Sequence, residues 1–295
     1  MIIGSDVTVV CGGGGLWGAA WMTGLIAGLA DAGVDMGQAG AFIGTSAGSV
    51  VSSQLTSNLT IAAMFERQVN PAKQTHEAMP MPGALEALGA LMSRPWPDPA
   101  ERLGAICELA KTAPTISRAE RRAGIVERLG LASEAWPDKK LSITAIDLET
   151  QELTVFTASS GISLIDAVCS SCAVPGVWPP AEVKGRLYID GGVWKTAENA
   201  HLAQHAKQVI ILAPLGLIPL TAPDGNSGLA ADIAALEAQG SEVLLISADA
   251  ASLRSMGGNF LDLATRKSGA EAGRLQAAAV AAELRGGPSA SGATS

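Results

Sequence analysis

The chain has 295 residues, of which 48% are hydrophobic, with a mean hydropathy of +0.28 and a formal net charge of −8. That acidic balance leaves no basic stripe to neutralise phosphates, which excludes a nucleic-acid binder and disfavours purely electrostatic docking on anionic lipid. Aromatic residues make up only 4%, so Ala, Leu, Val and Ile must fill the core, as suits helices packed on a parallel sheet better than a small β-sandwich. Cys11, Cys107, Cys169 and Cys172 are too few for a disulfide framework and read as reduced, buried thiols of a cytoplasmic protein. The start, Met1 to Asp6, has no basic n-region and carries an early acid, so no secretory signal is expected.

In chain order, Val7–Cys11 is a short β-branched run ending in glycines, the pattern of a fully buried strand. Leu16 to Ala30 reads as a helix that is apolar nearly all round, sandwiched inside the domain and stopped at Gly33. The uncharged run from Val7 to Ala30 is long enough to span a bilayer, but Gly12 to Gly15 interrupt it and no Lys or Arg precedes Arg67. Strand, glycine loop and buried helix therefore describe it better than a membrane span. Ala41 to Ile43 is a second buried strand, with a helix expected from near Ser49.

The region 70–137 carries Pro71, Pro80, Pro82, Pro95, Pro97, Pro99, Pro114 and Pro137. It predicts an irregular helical insertion over one end of the sheet, a usual place for lids and substrate channels. Leu141–Asp147 and Leu153–Thr157 form an expected antiparallel pair, followed by a helix over Leu164–Cys172 and a strand over Arg186–Ile189. Gln208–Ala213 and Glu242–Ser247 are further strands around a helix near Leu229–Ala238. A last helix, broken near Gly269 and Gly273, is expected over Phe260–Leu284. Residues 1–285 thus read as one α/β domain, and 286–295, uncharged and small, as a disordered tail.

Gly44-Thr-Ser46-Ala-Gly48 fits the nucleophile-elbow pattern G-x-S-x-G. A strand must turn abruptly into a helix there, and the flanking glycines remove Cβ atoms that would clash. Gly12-Gly-Gly-Gly15, after the first strand, brings several backbone amides and a helix N-terminus to one place, suited to an oxyanion, with the Ala47 amide as a further donor. The same loop also satisfies the dinucleotide fingerprint through Gly13, Gly15 and Gly18. However, Asp31 and Asp35 precede the second strand instead of ending it, where a ribose would need them.

A base is needed for Ser46. His76, His201 and His205 are the chain's three histidines; His201 and His205 follow the order Ser, Asp, His and keep a triad open. Asp190-Gly191-Gly192 is the better candidate, because the carboxylate ends a strand and apolar neighbours can raise its basicity. Cys169-Ser-Ser-Cys172 has C-x-x-C spacing but reads as a buried thiol pair.

The glycine-rich loop, G-x-S-x-G, a late D-G-G, and Ser171-Cys-Ala-Val-Pro175 before it together resemble the patatin-like phospholipase family. The resemblance implies a three-layer α/β/α sandwich on a mostly parallel sheet, and cleavage of lipid acyl esters without cofactor or metal. It implies Ser46 and Asp190 as a catalytic dyad and Gly13, Gly14 and Gly15 as the oxyanion hole. It further implies a lipid or other acyl-ester substrate; with a net charge of −8, any peripheral membrane contact would have to use apolar side chains. Trp17 departs from the family's pattern, which often has Arg or Lys there, and this tilts the expectation toward simple esters and neutral lipids.

Overall fold

The computed structural model describes residues 3–74, 78, 80–216 and 228–285; His76 and the predicted tail at 286–295 lie outside the described residues. Strand β1 (Val7–Cys11) leads through the glycine loop into α1 (Gly15–Asp31). Strand β2 (Ala41–Thr45) turns directly into α2 (Ala47–Leu55), followed by α3 (Ile61–Val69). The Pro-rich region holds α4 (Ala84–Ser93), α5 (Pro99–Thr112) and α6 (Arg118–Leu129). Next come β3 (Lys140–Asp147), β4 (Leu153–Phe156), α7 (Leu164–Ser171), β5 (Ala181–Val183) and β6 (Arg186–Asp190). The remaining elements are β7 (Gln208–Ala213), α8 (Gly228–Ala238), β8 (Glu242–Ser247), α9 (Ala250–Ser255) and α10 (Thr265–Leu284).

The strands form one mixed sheet in the order β5-β6-β3-β2-β1-β7-β8, with β4 added on β3. Strands β3, β2, β1, β7 and β8 run parallel; β4 and β6 pair antiparallel with β3, and β5 antiparallel with β6. Side chains alternate across the sheet. Val9, Cys11, Phe42, Ile210 and Leu212 enter the core that α1, α2 and α10 cover, whereas Val10, Ile43, Val209 and Ile211 face the core that α8 covers. Helices thus close both faces, which makes a three-layer α/β/α sandwich.

Residues of α4 and α5, including Leu88, Leu103 and Ile106, pack against Ile146 of β3 and Ile189 of β6. The Pro-rich region is therefore helical and sits over the part of the sheet where β3 and β6 meet. Among the described residues no helix is long and apolar enough to cross a membrane, and the uncharged run from Val7 is divided into strand, loop and helix.

One expectation is corrected at the C-terminal helix. α10 starts at Thr265 and runs unbroken to Leu284. Its glycines mark where it touches α1: a Cβ at Gly273 would lie 2.1 Å from the Trp21 carbonyl oxygen, and one at Gly24 would lie 1.9 Å from that of Ala270. The helix tolerates the poor propensity of glycine because the two backbones gain close packing there.

Candidate active site

β3 aligns the site. Its residues Ile143 to Ile146 pair with β4 along one edge. Since a strand has two edges, the other is shared end to end: β2 pairs with Lys140 to Thr144, and β6 with Ala145 to Asp147. The two strands meet tip to tip, Thr45 opposite Thr144 and Asp190 opposite Ala145. β6 runs antiparallel, and the two strand ends converge because β3 continues past the end of β2.

At the tip of β2 the chain reverses into α2 through Ser46, which has φ 53° and ψ −118°. A non-glycine residue in such a region costs on the order of 1–3 kcal/mol and persists only where its surroundings hold it. Those surroundings are specific. The Ser46 amide donates to Ser171 Oγ at 2.8 Å, and the Ser46 carbonyl accepts from Ser49 Oγ at 2.6 Å and from Cys172 Sγ at 3.3 Å. Ser171 thus gives the segment before the D-G-G strand a physical task, bracing the turn. A Cβ at Gly48 would lie 1.9 Å from the Cys11 carbonyl oxygen and one at Gly44 would lie 2.3 Å from Ser52 Oγ, so neither position accepts a larger residue.

Asp190 is buried, and its Oδ1 accepts from the Gly192 amide at 2.8 Å. Burial pushes its carboxyl up to about 6, against the lowering effects of hydrogen bonds from the Ser46 side chain and the Gly192 amide and of the Arg121 charge. The structure therefore brings Ser46 and Asp190 together. It also reveals a residue that sequence reasoning missed. The Asn199 side-chain amide lies within donating distance of Thr45 Oγ1 (3.2 Å), Thr144 Oγ1 (3.4 Å) and the Gly191 carbonyl (3.1 Å). It ties the end of β2, the middle of β3 and the turn after Asp190 into one buried network. The only sequence signal for it is an Asn in the loop after D-G-G.

In the glycine loop, Gly12 donates to the Leu212 carbonyl at 2.9 Å and Gly13 to the Ala197 carbonyl at 2.8 Å. The Gly13 amide is therefore engaged within the protein, where it fixes the loop. The amides of Gly14, Gly15 and Ala47 have no acceptor among the described residues, and Gly15 and Ala47 open α1 and α2, whose positive ends converge on Ser46. Trp17 turns away from this site. Its ring is buried, stacks on Trp21 at 6.5 Å between centroids and donates to Ser255 Oγ at 2.9 Å. Asp31 pairs with Arg274 at 2.7 Å and Asp35 caps a short turn through the Gly37 amide, so neither acid stands where a dinucleotide ribose would require it.

Two clefts meet at Ser46. The larger, about 240 Å³, runs from the glycine loop, Ser46 and Asp190 to Leu85, Leu88, Gly89, Met92, Val174 and Phe260. The smaller, on the other side, includes Ala47, Arg121, Arg128, Cys172 and Trp178. The Arg121 guanidinium lies 4.1 Å from the Trp178 ring centroid and donates to the Cys172 carbonyl at 3.3 Å. Positive charge thus reaches the site from α6 although the loop carries Trp17.

The histidines are placed elsewhere. His201 sits in a four-residue turn, Ala200–Ala203, 3.6 Å from Asp232, with its ring centroid 5.6 Å from that of Trp194. His205 lies beyond that turn with φ 75°, so the two do not share a helix. Neither lines a cleft at Ser46. Cys169 and Cys172 are buried and unbridged, and burial pushes the Cys169 thiol up to about 12. Among the described residues no group of His, Cys, Asp and Glu is arranged to hold a metal ion.

A family model described as patatin-like phospholipase matches residues 9–199, well over half of the chain, and the chain belongs to that family. Among solved structures, the type III effector protein ExoU is 18% identical, with 95% of this chain and 53% of that one covered and a TM-score of 0.43. VipD from Legionella pneumophila is 14% identical, covering 71% of this chain and 50% of its own, with a TM-score of 0.37. ExoU in complex with SpcU, from the type III secretion system of Pseudomonas aeruginosa, is 18% identical over 93% and 54%, with a TM-score of 0.37. The chain spans about half the length of these structures. No curated protein matches it.

Proposed function

We propose that the chain is a serine acyl hydrolase that cleaves lipid acyl esters, with Ser46 as nucleophile and Asp190 as its sole base. The observation that carries this reading is the pairing of a strained, cleft-facing serine with a buried carboxylate at the tip of the opposing strand. A carboxylate near its ordinary value is a poor base for a hydroxyl, and desolvation improves it.

In the first step Asp190 accepts the Ser46 proton as Oγ attacks the ester carbonyl carbon. The tetrahedral oxyanion lies toward the Gly14, Gly15 and Ala47 amides, whose loss singly costs about 10²–10³ in rate in comparable sites. Collapse expels the alcohol, which takes the proton from Asp190, and leaves an acyl-enzyme. Water then attacks as Asp190 takes its proton, and Asp190 returns that proton to Ser46 Oγ as the serine leaves and the acid is released. Family membership supports a lipid ester as substrate. No step calls for a metal or cofactor.

The test is covalent labelling with a fluorophosphonate alongside hydrolysis of a phospholipid and of p-nitrophenyl esters. Wild type is expected to label and to turn over, and Ser46→Ala to do neither. Equal labelling of both proteins removes Ser46 from the mechanism. Full activity in Asp190→Asn, with loss in His201→Ala, transfers the role of base to histidine.

A further inference from the structure

We propose that the apolar cleft beside α4 is the acyl-chain subsite and that Gly89 determines the length of acyl chain it accepts. The assignment rests on the reading of Ser46 as the attacking group and adds to it the direction in which the substrate lies. An ester bound at Ser46 has two arms, and the two clefts that meet there differ in chemistry. One is walled by Leu85, Leu88, Met92, Val174 and Phe260; the other carries the guanidinium-bearing side chains Arg121 and Arg128. An alkyl chain finds room and apolar walls in the first, whereas the second is far smaller and bears two arginines, and burying each methylene is worth roughly a fourfold gain in kcat/KM. The acyl arm therefore lies along α4 and the alcohol arm leaves past α6.

Gly89 stands out on that wall. Helical spacing sets Leu85, Gly89 and Met92 on one face of α4, the face that lines the cleft. Leu85 and Met92 fill their share of it, whereas a Cβ built at Gly89 meets nothing within 4 Å. The wall of the cleft is thus open at Gly89, an exposed position of its lining. Helix formation does not account for a glycine here, since it is the least favourable interior residue after proline. Any larger side chain at this position projects into the space that the distal part of an acyl chain would use.

The experiment compares full-length wild type, Gly89→Ala and Gly89→Leu on p-nitrophenyl butanoate and octanoate, with thermal unfolding as a folding check. Replacing glycine by leucine within a helix favours the helix, so Gly89→Leu is expected to unfold at the same or a higher temperature than wild type. The ratio of octanoate to butanoate kcat/KM is expected to fall at least tenfold in Gly89→Leu, with Gly89→Ala between. A ratio unchanged from wild type, while Ser46-dependent turnover persists, overturns the acyl-subsite assignment alone. Absence of any Ser46-dependent turnover in wild type overturns the reading of the site, and this assignment with it.

Discussion

Ser46 and Asp190 each pay a conformational or desolvation cost that the fold imposes, and both costs make predictions. As the proposed base, Asp190 must be ionised to accept a proton, so activity is expected to fall on the acid side as pH drops through about 6, measurable as a limb in log kcat/KM against pH. Asp190→Asn is expected to lower kcat by about 10²–10⁴, the usual contribution of a positioned base. The same variant should be more stable at pH 7. Because the folded carboxyl holds its proton more tightly than the unfolded one, ionisation between their two pKa values favours unfolding, and Asn escapes that cost. A melting temperature below that of wild type at pH 7 would contradict the burial of the acid. Asn199→Ala removes a donor from the buried Gly191 carbonyl and from the Thr45–Thr144 hydroxyl pair, which keep each other as partners, so a loss of about 1–3 kcal/mol in denaturant unfolding is expected, together with a reduced kcat. The elbow and the turn after Asp190 were legible in the sequence because G-x-S-x-G and D-G-G are local patterns, whereas the cleft-lining residues of α4 follow no such motif. Nor was Asn199 legible, since its partners on β2 and β3 are distant in sequence and only folding collects them.

Individual elements were read from periodicity with good agreement where burial is uniform. β1, β2 and β7 are short apolar runs buried along nearly their whole length, and α1 is buried on nearly every side. Strand direction left no such trace. Nothing local in Arg186–Asp190 shows that it enters antiparallel, because the pairing is set by β3 extending beyond β2. The glycines of α10 misled for a related reason: the same residue that weakens a helix also lets a second helix approach, and a single chain of letters does not distinguish the two. Gly273→Val should separate them. A side chain there meets the Trp21 carbonyl at close range, so overpacking is expected to cost about 1–3 kcal/mol or more in urea unfolding, with far-UV dichroism reporting a helix still formed. Unchanged stability would mean that α1 and α10 do not touch at this point.

Across the whole molecule, stability should fall as pH rises from about 4.5 to about 8. Glu198 is buried against Gly12 of the glycine loop, and its Oε1 has no hydrogen-bond partner among the described residues. Burial, reinforced by the nearby Asp232 charge, pushes its carboxyl up to about 8. The sign follows from proton linkage. Between the unfolded value near 4.5 and about 8 the folded state holds a proton that the unfolded state has lost, so raising pH across that window erodes stability. Glu198→Gln removes the titration while keeping the shape. Its melting temperature is expected to match wild type near pH 4 and to exceed it increasingly toward pH 8; parallel curves would show that Glu198 is already ionised in the folded protein. The buried acid gives no sign of itself in the sequence, where Glu198 looks like any loop carboxylate.

The end-to-end meeting of β2 and β6 along β3 also bears on the order in which the protein acquires competence during refolding. Local helices can form early, but hydroxyl and carboxylate face each other only after two strands remote in the chain have both docked on the same neighbour, a slow kind of closure. Capture of a fluorophosphonate by refolding protein should therefore trail the return of helical dichroism. Reactivity recovered in step with the helices would mean that half of the sheet suffices to arm the serine.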